Sequence, residues 1–320
     1  SEYTPYMNGL VNHLPMGQLA LYELTGDIGK VESYSNFFIK EYNIDKLGGE
    51  RIVELKSIKE CLGKKDMYES CLYFLEEKLD EKNMDAIIGD VLNDYDLGMS
   101  SGLFHTLIRL AYAVEGYKKY GESLDEIRRA IAYYISGYKR ADVFRSTLKG
   151  EGLSKAIVEV KKKESIENIL SDKSSLGKTM KALYNSEEYL NSPLIVEGDS
   201  EDKIENMLRI AVESYLNSES IVALHCITGI HALIVLKDYY RDYHRALDIM
   251  TTCVITHILA GDLGDFKDLE QDLDLSWSDI IARASESKDV HAIKLTYSAS
   301  VLEPMYQIDG LKQAALVRIG

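Results

Sequence analysis

The apolar positions along the chain recur at steps of three and four residues over most of its length. Leu103, Leu107 and Leu110 belong to one such stripe, and Ile127 and Ile131 belong to a second. This spacing places apolar side chains on one face of an α-helix. Similar stripes predict further helices over 16–26, 28–42, 65–80, 83–95, 174–190, 203–217, 219–240, 242–260, 266–283 and 289–302.

The scarcity of proline supports the same prediction. The chain has 4 prolines in 320 residues, where ordinary usage would give about 16. Proline is poorly tolerated inside helices, and none occurs between Pro15 and Pro193. The short segments 51–55 and 157–160 are the ones that favour a strand. The sequence therefore predicts an all-α protein, a multi-helix array around a single core.

One stretch differs in composition from the rest. Residues 145–200 are rich in Lys, Glu, Ser and Gly, and a connector between two helical halves is plausible there. No internal repeat is found. We expect one helical domain over 1–320, with that possible connector.

Charge and cysteine usage narrow the class of protein. There are 52 acidic and 37 basic side chains, which gives a formal charge of −15 and argues against nucleic acid or an anionic membrane as partner. No uncharged apolar run reaches ~18 residues, and no signal peptide is expected at the start. The four cysteines are scattered, which is typical of reduced thiols in a cytoplasmic protein.

The histidines are the residues most indicative of chemistry. Two of the seven have ordinary settings: His244 lies in a charged helix start, and His257 reads as a hydrogen-bonded core residue. The other five lie in apolar segments and are His13, His105, His225, His231 and His291. A buried imidazole requires a hydrogen bond or a metal, and converging neutral imidazoles suit iron, zinc or copper.

Known metal motifs do not account for these histidines. The chain has no H-E-x-x-H, and none of the five belongs to an E-x-x-H pair. A zincin or a carboxylate-bridged di-iron centre therefore lacks support. His225 and His231 are six positions apart, so on one helix they would point roughly 120° apart. We expect one of them, His225 by preference, to be a ligand, and the other to hydrogen-bond a ligand or the substrate.

Lys294 is unusual for its surroundings. It follows His291 by three residues, on the same helix face, between the apolar Ile293 and Leu295. A buried lysine tends to lose its proton, and a neutral amine can take up CO₂ to become a carbamate, which is an anionic oxygen ligand. The alternative is a lysine that reaches an acidic partner, Glu286 or Asp289.

Four segments in order resemble the questin oxidase-like family, whose fungal members open or rearrange anthraquinone-type rings with dioxygen. The resemblance extends from residue 12 to about residue 300. The segments are Asn12-His13-Leu14-Pro15-Met16, then Gly102-Leu103-Phe104-His105-Thr106-Leu107-Ile108-Arg109-Leu110-Ala111-Tyr112-Ala113-Val114-Glu115, then His225-Cys226-Ile227-Thr228-Gly229-Ile230-His231-Ala232-Leu233, and Asp289-Val290-His291-Ala292-Ile293-Lys294-Leu295.

The resemblance implies a helical fold and a mononuclear non-haem iron held by histidines and a carboxylated lysine. The implied ligands are His13, His105, His225 or His231, His291 and Lys294. Four imidazoles and one carbamate leave one position of an octahedral iron for O₂ or substrate. Asp289 and Glu115 are expected to orient ligand N–H groups, with Arg109 as an alternative ion-pair partner of Glu115.

The expected function is an iron-dependent oxygenase or oxidase that acts on an aromatic or polyketide-like small molecule with dioxygen. Two alternatives stay open: a zinc enzyme with a hydrolytic role, and a non-catalytic ligand-binding helical protein. The substrate, the electron donor and the oligomeric state do not follow from the sequence.

Overall fold

The computed structural model describes residues 2–121, 123–149, 152–172, 174–263, 266 and 275–320. The structure is 68% helical, which confirms the all-α prediction. In chain order the helices are α1 (Leu14–Thr25), α2 (Ile28–Glu41), α3 (Tyr68–Lys78), α4 (Met84–Asp94), α5 (His105–Tyr120), α6 (Leu124–Ser136), α7 (Leu153–Lys161), α8 (Glu164–Ser171), α9 (Leu176–Tyr184), α10 (Glu187–Leu190), α11 (Ser200–Ser218), α12 (Ile221–Val235), α13 (Tyr243–Ala260), α14 (Trp277–Ala284), α15 (Val290–Tyr306) and α16 (Leu311–Ile319).

Four short strands accompany the helices. They are β1 (Tyr6–Met7), β2 (Leu10–Val11), β3 (Ser146–Leu148) and β4 (Pro193–Val196). β1 and β2 pair antiparallel, and β3 and β4 pair parallel. Much of the predicted helix over 266–283 lies outside the described residues, and its final part is α14.

The first of two compact units comprises residues 1–140, 232–241 and 281–297. Here α5 and α3 pack on α6, and α1 packs on α2 and α5. Leu107 and Leu110 of the predicted stripe are buried on α5 together with the polar His105 and Arg109, whereas Leu103 lies before the helix. A helix buried on nearly every face is a central element of its core, so α5 is where this unit can hold polar groups away from water.

The second unit comprises residues 141–231, 242–280 and 298–320. In it α11 packs on α13 and α16, and α13 packs on α9 and β4. The polar stretch 145–200 contains β3, β4 and the four helices α7 to α10. The strand prediction for 157–160 is wrong: these residues lie within α7, whose buried side chains recur at helical spacing. Residues 51–55 form no strand either.

Cys61, Cys71, Cys226 and Cys253 are buried and free of disulfides. Among the described residues, no helix has the length and apolar character needed to cross a membrane.

His257 on α13 is a buried imidazole with an ordinary role. Its Nδ1 donates to the Cys253 carbonyl over 2.7 Å, and burial lowers its pKa to about 4. Between this value and 6.5, the unfolded chain binds a proton that the folded chain does not. His257 therefore makes its full contribution to the free energy of unfolding above pH 6.5, and this contribution decreases as the pH drops towards 4.

We expect His257→Asn, which keeps an N–H donor for the Cys253 carbonyl, to reduce the pH dependence of the unfolding free energy. The slope between pH 6 and 5 should decrease by about 1.2 kcal/mol per pH unit, because most of one protonation is removed in this range. Urea unfolding at several pH values measures this slope. Replacing the exposed His244 by Asn should leave it unchanged, and equal slopes in both variants would contradict the assignment.

Candidate metal centre

A tight hairpin sets the position of His13. Asn8 and Gly9 connect β1 to β2 with φ angles of 49° and 79°, and an Asn-Gly pair is the preferred sequence for such a turn. β2 ends at Val11, whose carbonyl accepts a hydrogen bond from His13 Nδ1 over 2.7 Å. The ring is thereby fixed with its Nε2 facing away from the hairpin.

Asn12 locks the junction between this hairpin and α1. Its Nδ2 donates to the Thr4 carbonyl over 3.0 Å, and its Oδ1 accepts from the Leu14 backbone N–H, also over 3.0 Å. Both bonds are buried, so His13 cannot shift without breaking them. This role of Asn12 was not predicted from the sequence.

A left-handed turn precedes His105. Gly102, Leu103 and Phe104 have φ angles of 61°, 58° and 62°. Leucine and phenylalanine in this region cost about 1–2 kcal/mol each. The turn brings the Gly102 carbonyl onto Nδ1 of His105, in a short hydrogen bond. Strain of this kind persists where the surrounding packing enforces it, and it clusters at functional sites.

His291 lies in the first turn of α15 and is oriented by Asp289. The Asp289 Oδ1 accepts from the His291 backbone N–H over 2.9 Å and lies 3.3 Å from its Nδ1. This matches the role expected for Asp289. The His291 side chain is 19% exposed.

The two histidines of α12 make different contacts. His225 Nδ1 donates to the Ile221 carbonyl over 2.7 Å. His231 Nδ1 lies 3.0 Å from the Ser298 hydroxyl. Only His225 offers a nitrogen to a set of possible metal ligands with His13, His105 and His291, within the described residues.

These four residues, here called the four-histidine group, offer one ring nitrogen each, and those nitrogens lie within 4.8 Å of one another. The rings of His13 and His105 are 4.6 Å apart and those of His13 and His291 are 4.8 Å apart, in edge-to-face arrangements. The Nε2 atoms of His13 and His105 are 2.7 Å apart. A buried group of this kind can bind a metal ion.

The hydrogen bonds define which nitrogen of each ring is available. Carbonyl oxygens only accept, so Nδ1 of His13, His105 and His225 carries the proton, and their Nε2 atoms keep a lone pair. Facing lone pairs on His13 and His105 repel each other unless a proton or a cation lies between them. The donor set therefore fits a transition metal ion, which binds neutral imidazoles.

Burial favours the neutral form of the His13 and His105 rings. It lowers the pKa of His13 and of His105 well below the usual value, and the positive charges of neighbouring groups, Lys294 among them, lower both further. Metal binding requires deprotonated nitrogens, so the site does not have to displace protons at neutral pH.

Lys294 is fully buried, at 0% exposure. Its Nζ has no hydrogen-bond partner among the described residues. Burial lowers the pKa of this amine to about 7, against a smaller opposing effect of Asp289. The alternative partner Glu286 instead binds Lys30, with its Oε1 at 2.6 Å from the Lys30 Nζ.

Two residues of α5, Glu115 and Arg109, have other partners than the sequence predicted. Among the described residues, the partners of Glu115 are not histidines. Its Oε1 accepts a hydrogen bond from the Tyr297 hydroxyl over 2.6 Å and lies 2.8 Å from the Lys119 Nζ. Arg109 pairs with Glu126 rather than with Glu115. The reason is helical geometry, since Glu115 lies six positions after Arg109, on another face of α5.

Two comparisons with known proteins bear on this site. A family model described as questin oxidase-like matches residues 10–299. Curated proteins give no significant match. The matched range includes all four histidines of the group and Lys294.

Gly17 lies at a close approach of the elements that carry these ligands. A Cβ there would lie 2.7 Å from the Tyr34 hydroxyl and 2.9 Å from Val290, which precedes His291. We expect Gly17→Ala to destabilise the protein by about 1–3 kcal/mol and to weaken metal binding, because α1 and α15 must separate. Thermal unfolding and metal titration measure the two effects.

The matched control is Gly177→Ala on α9, where a Cβ meets no atom within 4 Å. This change should stabilise by about 0.5–1 kcal/mol or leave stability unchanged. If Gly17→Ala behaves like Gly177→Ala, the packing argument is wrong.

Proposed function

The chain belongs to the questin oxidase-like family, and we propose that it is an oxidoreductase that acts on a polyketide-like aromatic molecule with dioxygen. The reaction would take place at a single iron ion held by the four-histidine group. The observation that carries the proposal is the convergence of four ring nitrogens within 4.8 Å. The family supports the reaction class, and the nitrogen donors support a borderline transition metal such as iron.

We propose that His13, His105, His225 and His291 are the ligands. His231 would stand outside this set and support α12 through its bond to Ser298. A redox-active iron would supply one-electron chemistry with dioxygen, and the electrons consumed would come from the aromatic substrate as it is oxidised. All other contributions to the reaction would come from residues of the chain.

Lys294 is proposed as the fifth ligand after modification. Its neutral amine attacks CO₂, a C–N bond forms, and one amine proton is released to the buffer, which leaves a carbamate. The buried Nζ and its depressed pKa favour this reaction. The carbamate puts a negative charge beside two imidazoles in place of a neutral amine, which lowers the electrostatic cost of a bound cation.

The protein contributes orientation and exclusion of water. The Val11, Gly102 and Ile221 carbonyls hold three rings by their Nδ1–H groups, and Asp289 holds the fourth. Such outer contacts fix ring orientation and raise ligand basicity. His13, His105 and His225 are buried, whereas His291 is partly exposed. We therefore infer that the substrate approaches past His291.

The metal content of purified protein tests the ligand set. Protein produced with iron should contain roughly one transition-metal ion per chain. His105→Ala and His291→Ala should each lower metal affinity at least tenfold. Loss of a residue that only orients a ligand lowers metal affinity about 10–100-fold, and loss of a ligand itself should lower it by at least as much. Elemental analysis after dialysis measures this. His257→Asn removes a buried histidine outside the group and should keep its metal. Full retention in both alanine variants would exclude the site.

Oxygen uptake tests the reaction class and separates iron from zinc. Iron-loaded protein should consume dioxygen with a hydroxylated anthraquinone from a panel of aromatic polyketides, and zinc-loaded protein should not. Hydrolysis of an ester or lactone panel by zinc-loaded protein, with no oxygen uptake by the iron form, would favour the zinc alternative instead.

A carbamate on Lys294 is detectable directly. Zinc-loaded protein equilibrated with ¹³C-bicarbonate should show one slowly exchanging carbamate carbon by NMR, and Lys294→Met, which keeps the side-chain volume, should lose it. Metal-free Lys294→Met should also be more stable than wild type, since burying an amine without a partner is costly.

The half-exposed Lys30 gives the control, because Lys30→Met should keep the signal. A signal of unchanged strength in Lys294→Met would assign the carbamate to another amine. In iron-loaded Lys294→Ala, added acetate should restore part of the oxygen uptake by supplying a carboxylate oxygen in the space left by the side chain.

A further inference from the structure

Tyr297 on α15 is a buried phenol close to residues that carry the proposed metal chemistry. It follows Lys294 by three positions, so the two side chains lie on one face of the helix. It follows His291 by six positions, which is a rise of about 9 Å along the helix axis. Tyr297 is 3% exposed. The proposed function gives this residue no role, although it lies within two helical turns of two proposed ligands.

The Tyr297 hydroxyl has a carboxylate as its hydrogen-bond acceptor. It donates to Glu115 Oε1 over 2.6 Å, a length that is typical of a charge-assisted bond from a hydroxyl to a carboxylate. Burial raises the pKa of Tyr297 far above its usual value, and Glu115 raises it further. The phenol therefore keeps its proton at neutral pH, next to a group that is able to accept it.

Glu115 is the first of a connected series of charged groups. Its Oε1 lies 2.8 Å from the Lys119 Nζ, and the same Nζ lies 3.0 Å from Glu23 Oε2. Glu23 Oε1 accepts a hydrogen bond from the Tyr120 hydroxyl over 2.9 Å. The Lys119 side chain is 45% exposed and Tyr120 is 47% exposed. The series therefore connects the buried Tyr297 hydroxyl to solvent at the C-terminal end of α5.

A second aromatic ring lies against Tyr297. The Tyr112 ring centre is 5.9 Å from that of Tyr297, in an edge-to-face arrangement, and Tyr112 is also buried. Buried rings in contact keep water and other solutes away from each other's surfaces. A phenoxyl radical that solutes cannot reach decays slowly, so this position favours a long-lived radical over one that reacts at once.

The charged groups are arranged to take up a proton at low cost. A phenol that has lost an electron is a strong acid, so its proton must leave with the electron. Glu115, Lys119 and Glu23 together carry one net negative charge, because one ammonium bridges two carboxylates. When Glu115 takes up a proton, Lys119 keeps Glu23 as its partner. Protonation of Glu115 therefore leaves no isolated charge in the series.

We propose that Tyr297 is a redox-active tyrosine that protects the metal site when an oxidising equivalent forms there and no aromatic substrate is bound. One electron passes from the phenol to that oxidising equivalent, the phenol O–H bond breaks, and the proton forms an O–H bond with Glu115. The products are a neutral phenoxyl radical and a neutral carboxyl group. One electron from a small reductant such as ascorbate, with return of the proton from Glu115, restores the phenol.

The protective role rests on the proposed function, whereas the oxidation of Tyr297 does not, so photo-oxidation of metal-free protein tests the phenol by itself. A ruthenium(III) tris-bipyridine complex, generated by light and persulfate, removes one electron from tyrosine. After illumination, electron paramagnetic resonance should show a persistent tyrosyl signal that narrows when the protein contains ring-deuterated tyrosine. Tyr297→Phe, which keeps the ring, should lose most of this signal.

Two further variants test the proton acceptor. Glu115→Gln keeps an oxygen that accepts a hydrogen bond but cannot hold the proton, and it should also lose most of the persistent signal. Tyr189→Phe is the matched control, because the hydroxyl of the buried Tyr189 lies 2.8 Å from the Thr256 hydroxyl, which is not a base. This control should keep the wild-type signal.

The same spectra state when the assignment is wrong. A persistent signal of wild-type strength in Tyr297→Phe, or no persistent signal in any of the proteins, would overturn the assignment of the radical to Tyr297. A signal of wild-type strength in Glu115→Gln would overturn the role of Glu115 as proton acceptor.

Damage to the candidate ligands tests the protective role. Iron-loaded protein is treated with hydrogen peroxide in the absence of an aromatic substrate, and oxygen added to the four-histidine group is measured by peptide mass spectrometry. At equal iron content, Tyr297→Phe should accumulate more oxidised histidine than the wild-type protein, and equal accumulation would overturn the protective role. If the wild-type protein bound no iron, the proposed function and the protective role would both be wrong, and photo-oxidation would still decide whether Tyr297 is oxidised.

Discussion

The candidate metal centre depends on the hydrogen bonds that hold Nδ1 of each imidazole. Three of the four acceptors are backbone carbonyls, of Val11, Gly102 and Ile221. A carbonyl cannot donate, so it fixes the tautomer as well as the ring direction. The Nε2 lone pairs are consequently directed into a shared space before any ion binds. Without these bonds, burial alone would permit either tautomer, and the rings could satisfy one another instead.

This arrangement requires the backbone to depart from regular structure beside two of the candidate ligands, His13 and His105. His105 follows two non-glycine residues in the left-handed region, and His13 follows a hairpin with a positive-φ turn. His291 follows Asp289 by two residues, and Asp289 Oδ1 contacts both the backbone N–H and the ring Nδ1 of His291. Such features cost stability locally and are retained where the packed core enforces them. The close approach at Gly17 shows that α1, which follows His13, and α15, which contains His291, are held by that packing.

The sequence predicted the parts of the fold that rest on periodicity. Buried stripes on α5 and α6 recur at helical spacing, so their helices could be located from apolar positions alone. The β1–β2 hairpin was missed, although Asn8-Gly9 is a strong turn signal, because two-residue strands carry too little alternation to detect. The segment 157–160 shows the opposite error, since its three β-branched residues, Ile157, Val158 and Val160, fit a strand and a buried helix face equally well.

The set of candidate ligands followed from burial of histidines in apolar segments, whereas their grouping did not. His225 and His231 have similar neighbours in sequence, and only the tertiary contacts distinguish a ring facing the group from a ring facing Ser298. The roles of Glu115 and Arg109 were equally hidden. Their partners Tyr297 and Glu126 come from other helices, and pairing across helices depends on their packing rather than on spacing within α5.

Lys294 and Arg109 show how one core can accommodate two buried cations by different means. The pKa of lysine shifts readily on burial, and that of Lys294 falls to about 7, so this side chain can become neutral and reactive. Arginine stays charged in proteins, and burial cannot remove the charge of Arg109. Its surroundings must therefore supply acceptors, of which Glu126 provides one. A buried lysine beside candidate metal ligands can thus become neutral and reactive, whereas a buried arginine stays charged and its neighbours must complete its hydrogen bonds.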